Sequence, residues 1–386
     1  MSTRELLFLL LKYELTGDKP SDSALAHISP EEAERIYELA KKHEVIAPAA
    51  HAMIALGVKA APETVLKLQK QMMLAKHHYE LMTYEIGELS RVLSDAQIPH
   101  ILLKGSVLRE RYPIPWLRTS CDVDVLVKRE TLDAAISALA EKLKYEVDGR
   151  TPHDIPLNTP SGVHIELHFT LMGENVIEER EPVCDEIWDR ATKKGDSYRF
   201  DMPDEMFYYY HVIHMAKHVI TGGCGIRPFL DLWVLEELVP HDNSAREALL
   251  SRGGILKFSE ACVELMKIWL DSSPHTERSE MLEKYVMYGG VYGNIENKVS
   301  IQQSQRGGKR AYAMSRIFPS YSFMRMAYPV LDRHKWLLPV MYVRRWIRVI
   351  RRGRLSASVA ELKYNGEIPE EEMLKNRRFL SEIGLQ

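Results

Sequence analysis

The chain has 386 residues, of which 45% are hydrophobic and 27% charged. This composition is typical of a globular protein and excludes disordered, collagen-like and disulfide-rich classes. The formal net charge of -3 is too small to indicate a strongly acidic or basic partner. The four cysteines lie far apart, so no zinc ribbon or redox dithiol is indicated, and the expected location is a reducing cytoplasm. No apolar run reaches the length of about 18 residues that would predict a membrane-spanning helix.

The first 97 residues are predicted to form a helical region. Ser2 and Glu5 have the spacing of a capping box, and Ser29 is placed to cap a second helix. Between Pro62 and about Ala96 apolar residues recur at helical spacing, which indicates one long amphipathic helix or two helices end to end.

The pattern changes at Pro99, where short strand-like segments begin to alternate with short helices. Strands are predicted over residues 100–104, 121–127 and 163–171, helices over 107–112 and 131–143, and a loop over the Pro- and Gly-rich stretch 148–162. We therefore expect a compact α/β-type unit over residues 98–200. The predicted fold class is α+β, with a small mixed sheet embedded in extensive helical regions.

Residues 201–386 are predicted to form a C-terminal helical region. Its candidate helices are 204–219, 228–238 and 255–270, and the polar, glycine-bearing stretch 289–310 is predicted to be a loop. The segment 301–354 is strongly basic, with 13 Lys and Arg residues and one acidic residue, Asp332.

Two carboxylates stand on one predicted strand. Side chains alternate faces along a strand, so Asp122 and Asp124 project from the same face while Val123 and Val125 point into the core. Adjacent carboxylates repel each other unless a cation neutralises them, and oxygen ligands suit Mg²⁺ or Mn²⁺ better than zinc.

A later strand repeats this pattern. His164, Glu166 and His168 share one face of the strand, and apolar residues form the other. If the two strands are neighbours, Glu166 completes a three-carboxylate cluster with Asp122 and Asp124, an arrangement that can hold two divalent cations for nucleotidyl transfer. The two histidines are expected to contact these ligands or the substrate, and a role as neutral solvent-facing residues is equally compatible with their positions.

A candidate phosphate site lies just upstream. Gly105 and Ser106 stand where a predicted strand gives way to a helix, a junction whose backbone N–H groups favour anions. Lys104, Arg118 and Ser120 are close enough in sequence to reach the same phosphates.

The order Gly105-Ser106, Asp122-Val123-Asp124 and a later strand carboxylate at Glu166 resembles the signature of the DNA polymerase beta-like nucleotidyltransferase superfamily. Residues 100–171, and less closely 205–240, are similar to the bacterial uncharacterised nucleotidyltransferase family within it. The resemblance implies that the three carboxylates are catalytic metal ligands and that Gly105 and Ser106 bind the phosphates of a nucleotide. Lys104 departs from the pattern, because many members have an apolar residue at that position.

The implied activity is metal-dependent transfer of a nucleoside monophosphate from an NTP, such as ATP, to an acceptor hydroxyl with release of pyrophosphate. The acceptor could be a small molecule, a sugar precursor or a protein. The alternative is a non-catalytic module that binds a nucleotide or phosphorylated ligand, peripheral at the membrane. A third hypothesis, a structural metal site, rests on His211, His214 and His218, which share a predicted helix, but the sequence lacks the Glu of the known zinc-helix pattern.

Residues 336–354 form a basic amphipathic pattern with two tryptophans. Such a helix can lie on the anionic inner face of a membrane, whereas contact with nucleic acid is less favoured. The alternative is that its apolar side packs on the protein and its arginines pair with acidic residues elsewhere in the chain.

Overall fold

Helices make up the N-terminal region in the computed structural model, which describes residues 1–151, 153–171, 182–290, 295–351 and 355–385. They are α1 (Thr3–Thr16), α2 (Asp22–Leu25), α3 (Pro30–Lys42), α4 (Ile46–Ala55) and α5 (Pro62–Asp95). The capping box of Ser2 and Glu5 and the cap at Ser29 are confirmed. The long pattern forms the single helix α5, which is 34 residues long.

The next elements form one sheet with helices beside it. The strands are β1 (His100–Leu102), β2 (Asp122–Val127), β3 (Glu146–Val147), β4 (Asp154–Asn158), β5 (His164–His168), β6 (Thr192–Lys193) and β7 (Arg199–Asp201). Their order in the sheet is β3-β4-β5-β2-β1-β7-β6. The intervening helices are α6 (Gly105–Leu108), α7 (Leu132–Leu143), α8 (Pro182–Asp185) and α9 (Ile187–Arg190).

The centre of the sheet pairs β2 with β5 in parallel. Val123, Val125, Ile165 and Leu167 are completely buried, and they share an apolar cluster with residues of α5 and α7. Because side chains alternate along each strand, this packing directs the polar residues of both strands to the opposite face of the sheet. β2 and β5 are thus covered on one face by helices and carry their acidic residues on the other.

The remaining helices follow the sheet. They are α10 (Asp204–Thr221), α11 (Arg227–Glu237), α12 (Asn243–Arg252), α13 (Leu256–Asp271), α14 (Glu277–Gly289), α15 (Ile295–Gln305), α16 (Lys309–Ile317), α17 (Tyr321–Ala327), α18 (Val330–Arg333), α19 (Leu338–Arg351), α20 (Leu355–Glu367) and α21 (Glu370–Glu382). The largest apolar cluster joins α1, α3 and α4 to α10, α11 and α13. None of the helices among the described residues is both long and apolar enough to cross a bilayer.

The structure confirms the predicted α+β class with a mixed sheet among many helices. Two predicted loops were wrong. Asp154–Asn158 is a strand, because it pairs along its whole length with β5 despite containing Pro156. Ile295–Gln305 is a helix on which the buried Gln303 donates a hydrogen bond to Asn365 of α20, while residues 291–294 lie outside the described residues.

Candidate active site

A cavity of about 450 Å³ lies between the polar face of the central strands and helices α10 and α11. Asp122 and Asp124 of β2 and Glu166 and His168 of β5 line one side, and polar residues of α10 line the other. A volume of this size is within the usual range for a small-molecule site.

Asp124, Glu166 and His168 meet at the bottom of this cavity. Asp124 and Glu166 are direct partners in the parallel register of β2 and β5. Ligand atoms of all three residues lie within 4.8 Å of one another. The predicted convergence of carboxylates from two strands is therefore present, with His168 as the third member of the tight group.

Lys104 and His168 balance the negative charge of the carboxylates in this group. The Lys104 ammonium donates to Asp124 Oδ1 at 2.6 Å and lies 3.9 Å from Glu166 Oε2, while His168 Nε2 donates to the same Asp124 oxygen at 2.7 Å. Burial alone would raise the pKa of Asp124, but Lys104 and His168 hold that pKa well below its ordinary value. Burial opposes the charged forms of Lys104 and His168 as well, yet their carboxylate partners raise both pKa values.

Asp122 lines the same cavity but stands outside the group of three. Burial, and next the negative charge of Asp124, raise the pKa of Asp122 to about 6. A cation bound beside Asp122 would therefore favour its ionised form.

The backbone at Lys104 is strained. Lys104 has φ 43° and ψ -123°, and Ser106 N–H donates to Leu103 O at 3.1 Å. This is the geometry of a type II′ turn, whose first central position favours glycine. The turn directs the Lys104 side chain toward the carboxylates, and such strain commonly occurs at functional sites.

Gly105 is required by packing. A Cβ atom at this position would lie 2.7 Å from Arg118 Nη1 and 2.9 Å from Ser120 Cβ. The space beside its Cα is therefore filled by the protein itself, which gives a different reason for glycine from the phosphate approach expected from the sequence. The helix that follows, α6, has only four residues.

The two serines lie in different surroundings. Ser120 lines the cavity and its hydroxyl contacts Met82 Sδ at 3.6 Å. Ser106 instead lines a neighbouring cavity together with Arg111 and Asp201, and its buried hydroxyl has no hydrogen-bond partner within the described residues. The structure therefore does not bring Ser106 together with the carboxylates, and its phosphate role stays a prediction.

Arg118 is held by a carboxylate of α11. Its Nε and Nη2 donate to Asp231 at 3.0 and 2.8 Å, and Tyr112 donates to the same carboxylate at 2.7 Å. Although burial opposes it, Arg118 lowers the pKa of Asp231. Arg227, four positions before Asp231 on the same helix, pairs with Glu44 instead.

Of two further histidines on or beside the sheet, one lies near its surface and the other lines the cavity. His164 hydrogen-bonds Asn158 Oδ1 at 3.2 Å near the sheet surface. His153, which sequence reasoning missed, lines the cavity, stacks on His168 and pairs with Asp154 at 2.9 Å. The only signal for it was the short alternation that begins β4.

The predicted histidine helix is α10. His211 Nε2 donates to Pro228 O at 2.9 Å, and His214 and His218 line the cavity with their rings in edge contact. The one group of potential metal ligands found among the described residues does not include them.

The donor chemistry of the acidic group suits a divalent cation. Two carboxylates and one imidazole within 4.8 Å provide both oxygen and nitrogen donors, a set compatible with Mn²⁺ and, through the carboxylates, with Mg²⁺. A cation bound here would share the Asp124 carboxylate with Lys104 and His168.

Residues 29–271 match the model of a family described as uncharacterised nucleotidyltransferase. The chain belongs to this family. The match covers the whole sheet and helices α10 to α13, so it includes every residue of the cavity wall discussed above. No curated protein and no solved structure matches the chain.

Membership of a nucleotidyltransferase family supports a transferase activity in general terms and an NTP as substrate. It also confirms the resemblance to the uncharacterised nucleotidyltransferase family that the sequence indicated.

Proposed function

We propose that this protein transfers a nucleoside monophosphate from an NTP to an acceptor hydroxyl and releases pyrophosphate. The observation that carries the proposal is the juxtaposition of Asp124 and Glu166 in register on neighbouring strands, at the bottom of a cavity and beside His168. The same arrangement supports assignment to the DNA polymerase beta-like superfamily. Family membership supports the reaction class but not the acceptor.

Asp122, Asp124 and Glu166 are the residues we propose to hold Mg²⁺ or Mn²⁺. A divalent cation bound there would neutralise developing phosphate charge and lower the pKa of an acceptor hydroxyl. His168 orients Asp124 through its 2.7 Å hydrogen bond and keeps that carboxylate ionised. Lys104 provides a positive charge beside the same oxygens.

We propose that the donor phosphates lie along the segment formed by Lys104, Gly105, Arg118 and Ser120, with Ser106 adjoining it. Support comes from the position of the first four residues on the cavity wall. Arg118 would then act while held by Asp231, which fixes its guanidinium in place.

The test is incubation with labelled ATP, CTP, GTP and UTP, Mg²⁺ or Mn²⁺, and a cell extract that supplies acceptors. We expect a labelled product with the wild-type protein and none with Asp124→Asn. Asp196→Asn, which alters an exposed carboxylate in the β6–β7 loop, is the matched control and should retain full activity. Full activity of Asp124→Asn would refute the proposal.

The second candidate is a module that binds a nucleotide or phosphorylated ligand without turnover. Lys104 and His168 already neutralise Asp124 within the protein, so the carboxylates alone do not demand chemistry. Calorimetry that detects NTP binding, together with no pyrophosphate release over a broad acceptor panel, would favour this candidate.

We also propose that an anionic membrane surface is a partner of α19 and the residues just before it. Trp336, Val340, Val343, Ile347 and Ile350 recur every three or four positions and are 46 to 74% exposed, so they form one apolar stripe facing solvent. A contiguous exposed apolar stripe on a helix is a feature of interaction surfaces.

The positive charge beside this stripe favours an anionic partner. Arg344, Arg348 and Arg351 are exposed on the same helix, and none of them forms an ion pair within the described residues. The expected pairing of these arginines with acidic residues of the chain is therefore not seen there. Another side of the helix does pack on the protein, as the alternative hypothesis for this segment expected, because Met341 lies in an apolar cluster with Met324.

Vesicle sedimentation tests this surface. We expect binding to vesicles that contain phosphatidylglycerol, weak binding to phosphatidylcholine alone, and loss of binding in Ile347→Asp. Leu374→Asp, at a position on α21 that is at least as exposed, is the control. Equal binding to neutral vesicles, or a dimer that only Ile347→Asp dissolves, would contradict the proposal.

A further inference from the structure

The wall of the cavity opposite the carboxylates is one face of α10. Tyr210, His214, Lys217 and His218 are spaced four, three and one positions apart, which places them on adjoining positions of one helical face. All four line the cavity that holds Asp124. Sequence analysis considered His214 and His218 only for a structural metal site and assigned no role to Lys217.

The cations that line this cavity differ in their partners. Lys104 pairs with Asp124, Arg118 with Asp231, and Arg227 with Glu44. Lys217 alone has no carboxylate or hydrogen-bond partner for its ammonium among the described residues. Burial, and next the charge of Lys104, lower the pKa of Lys217, although Glu166, Asp154 and Asp124 oppose this shift from a longer distance. An anion bound directly beside the ammonium would therefore stabilise its charged form.

The neighbours of Lys217 can donate hydrogen bonds without adding charge. Burial, and next His218, lower the pKa of His214 well below its ordinary value, while burial and then Lys217 lower that of His218 to about 4. Both imidazoles are therefore neutral at pH 7. The Tyr210 hydroxyl is fully buried and has no hydrogen-bond partner in the described part of the chain. One cation with neutral N–H and O–H donors is a suitable set for phosphate oxygens.

We propose that Tyr210, His214, Lys217 and His218 form a subsite for the triphosphate of the NTP donor. The assignment rests on the proposed nucleotidyl transfer, because an anionic group of the acceptor would satisfy the same donors. The donor is favoured because Lys104 and Arg118, beside which we place its phosphates, are already paired with Asp124 and Asp231. Lys217, which lines the same cavity, is then the cation that can balance the remaining charge of a triphosphate.

Calorimetric titration with tripolyphosphate, orthophosphate and each NTP tests the subsite. In Lys217→Met we expect the Kd for tripolyphosphate and for the NTP to rise about tenfold or more, the value of a lost charge-assisted hydrogen bond. Lys217→Arg should remain close to wild type, and Tyr210→Phe, which removes only the hydroxyl, should show a smaller loss. Lys284→Met, at an exposed position on α14, should change nothing.

The outcomes separate the subsite from the reaction. Unchanged NTP and tripolyphosphate binding in Lys217→Met would overturn the subsite even if nucleotidyl transfer is demonstrated. Lost orthophosphate binding with unchanged NTP binding would assign the anion to the acceptor and overturn the donor assignment. Tripolyphosphate binding that depends on Lys217, with no labelled product from any NTP, would retain the subsite and refute the proposed function.

The folding of the variant gives an independent readout. Because Lys217→Met removes an ammonium without a direct partner from a partly buried position, the variant should unfold at the same or a higher temperature than wild type. A marked decrease would mean that Lys217 has a structural partner and would count against the subsite.

Discussion

Arg118 and Asp231 form a buried two-bond ion pair that ties the segment before the acidic strand to helix α11. The two residues are 113 positions apart, and their hydrogen bonds are 3.0 and 2.8 Å long. Arg118 also packs against Gly105, so the pair fixes the turn that carries Lys104 as well. Through this contact the helical C-terminal region positions the loops beside the candidate active site.

Removing one partner of this pair should be strongly destabilising. We expect Arg118→Met to lower the free energy of unfolding by about 3–5 kcal/mol, because the buried Asp231 would keep just one donor from the described part of the chain, the Tyr112 hydroxyl. The double variant Arg118→Met/Asp231→Leu should recover part of this loss. Urea unfolding measures both, with Arg91→Met in the exposed pair with Glu88 as a control expected to cost less than about 1 kcal/mol. A loss of similar size in the control and in Arg118→Met would contradict the prediction.

The strained turn at Lys104 predicts an inverted preference between glycine and alanine. Lys104→Gly and Lys104→Ala both remove the ammonium from Asp124, so the difference between them reports the backbone. With φ at 43°, we expect the glycine variant to be the more stable by about 1 kcal/mol. At Lys142, inside helix α7, the same pair should show the ordinary order with alanine ahead. Alanine ahead at both positions would show that the turn is not strained.

His168 should determine the affinity for Mn²⁺. His168→Phe keeps a ring in the buried position but removes the nitrogen that bonds Asp124. Loss of a ligand or of its hydrogen-bonded support typically lowers metal affinity 10- to 100-fold, and we expect a decrease of about that size. The paramagnetic resonance signal of unbound Mn²⁺ measures it. His164→Phe, on the same strand face but bonded to Asn158, should bind as wild type does, and equal affinities in all three proteins would exclude a role for His168.

His43 predicts a loss of stability in acid. It is fully buried, neither ring nitrogen has a partner within the described residues, and burial lowers its pKa to about 4. The unfolded chain, with the ordinary pKa of about 6.5, binds the proton more readily, so the contribution to stability is lost as the pH falls from about 6.5 toward 4. At pH 5 this amounts to about 2 kcal/mol.

Replacing His43 with an apolar residue should remove this sensitivity. We expect His43→Leu to lose less stability than wild type between pH 7.5 and pH 5 in urea unfolding, by about 2 kcal/mol. His27→Leu, at an exposed position, is the control and should follow wild type. Parallel pH profiles for His43→Leu and wild type would refute the assignment.

Much of the acidic strand could be read from the sequence. The alternation of Asp122, Val123, Asp124 and Val125 gave the strand, its faces and the clustering of carboxylates, because period-two patterning follows from strand geometry alone. The pattern on β5 did the same for Glu166 and His168. The division into regions 1–97, 98–200 and 201–386 stays a prediction.

Tertiary structure decided which of these groups meet. The parallel register of β2 and β5, which is set by the burial of both apolar faces, brings Glu166 beside Asp124. It also brings His168 within hydrogen-bond distance of Asp124 Oδ1. Strand β4 and helix α15 were missed because their stabilising contacts are made to other elements and leave no local pattern, as in the pairing of β4 with β5 and the hydrogen bond from Gln303 to Asn365. Hydrogen bonds and ion pairs between residues more than a hundred positions apart leave no local trace in a sequence. Therefore the sequence determined the chemical groups and the strand faces that carry them. The packing of the helices on the sheet decided which cations of the cavity pair with a carboxylate and that Lys217 has no such partner among the described residues, because these contacts join elements far apart in the chain.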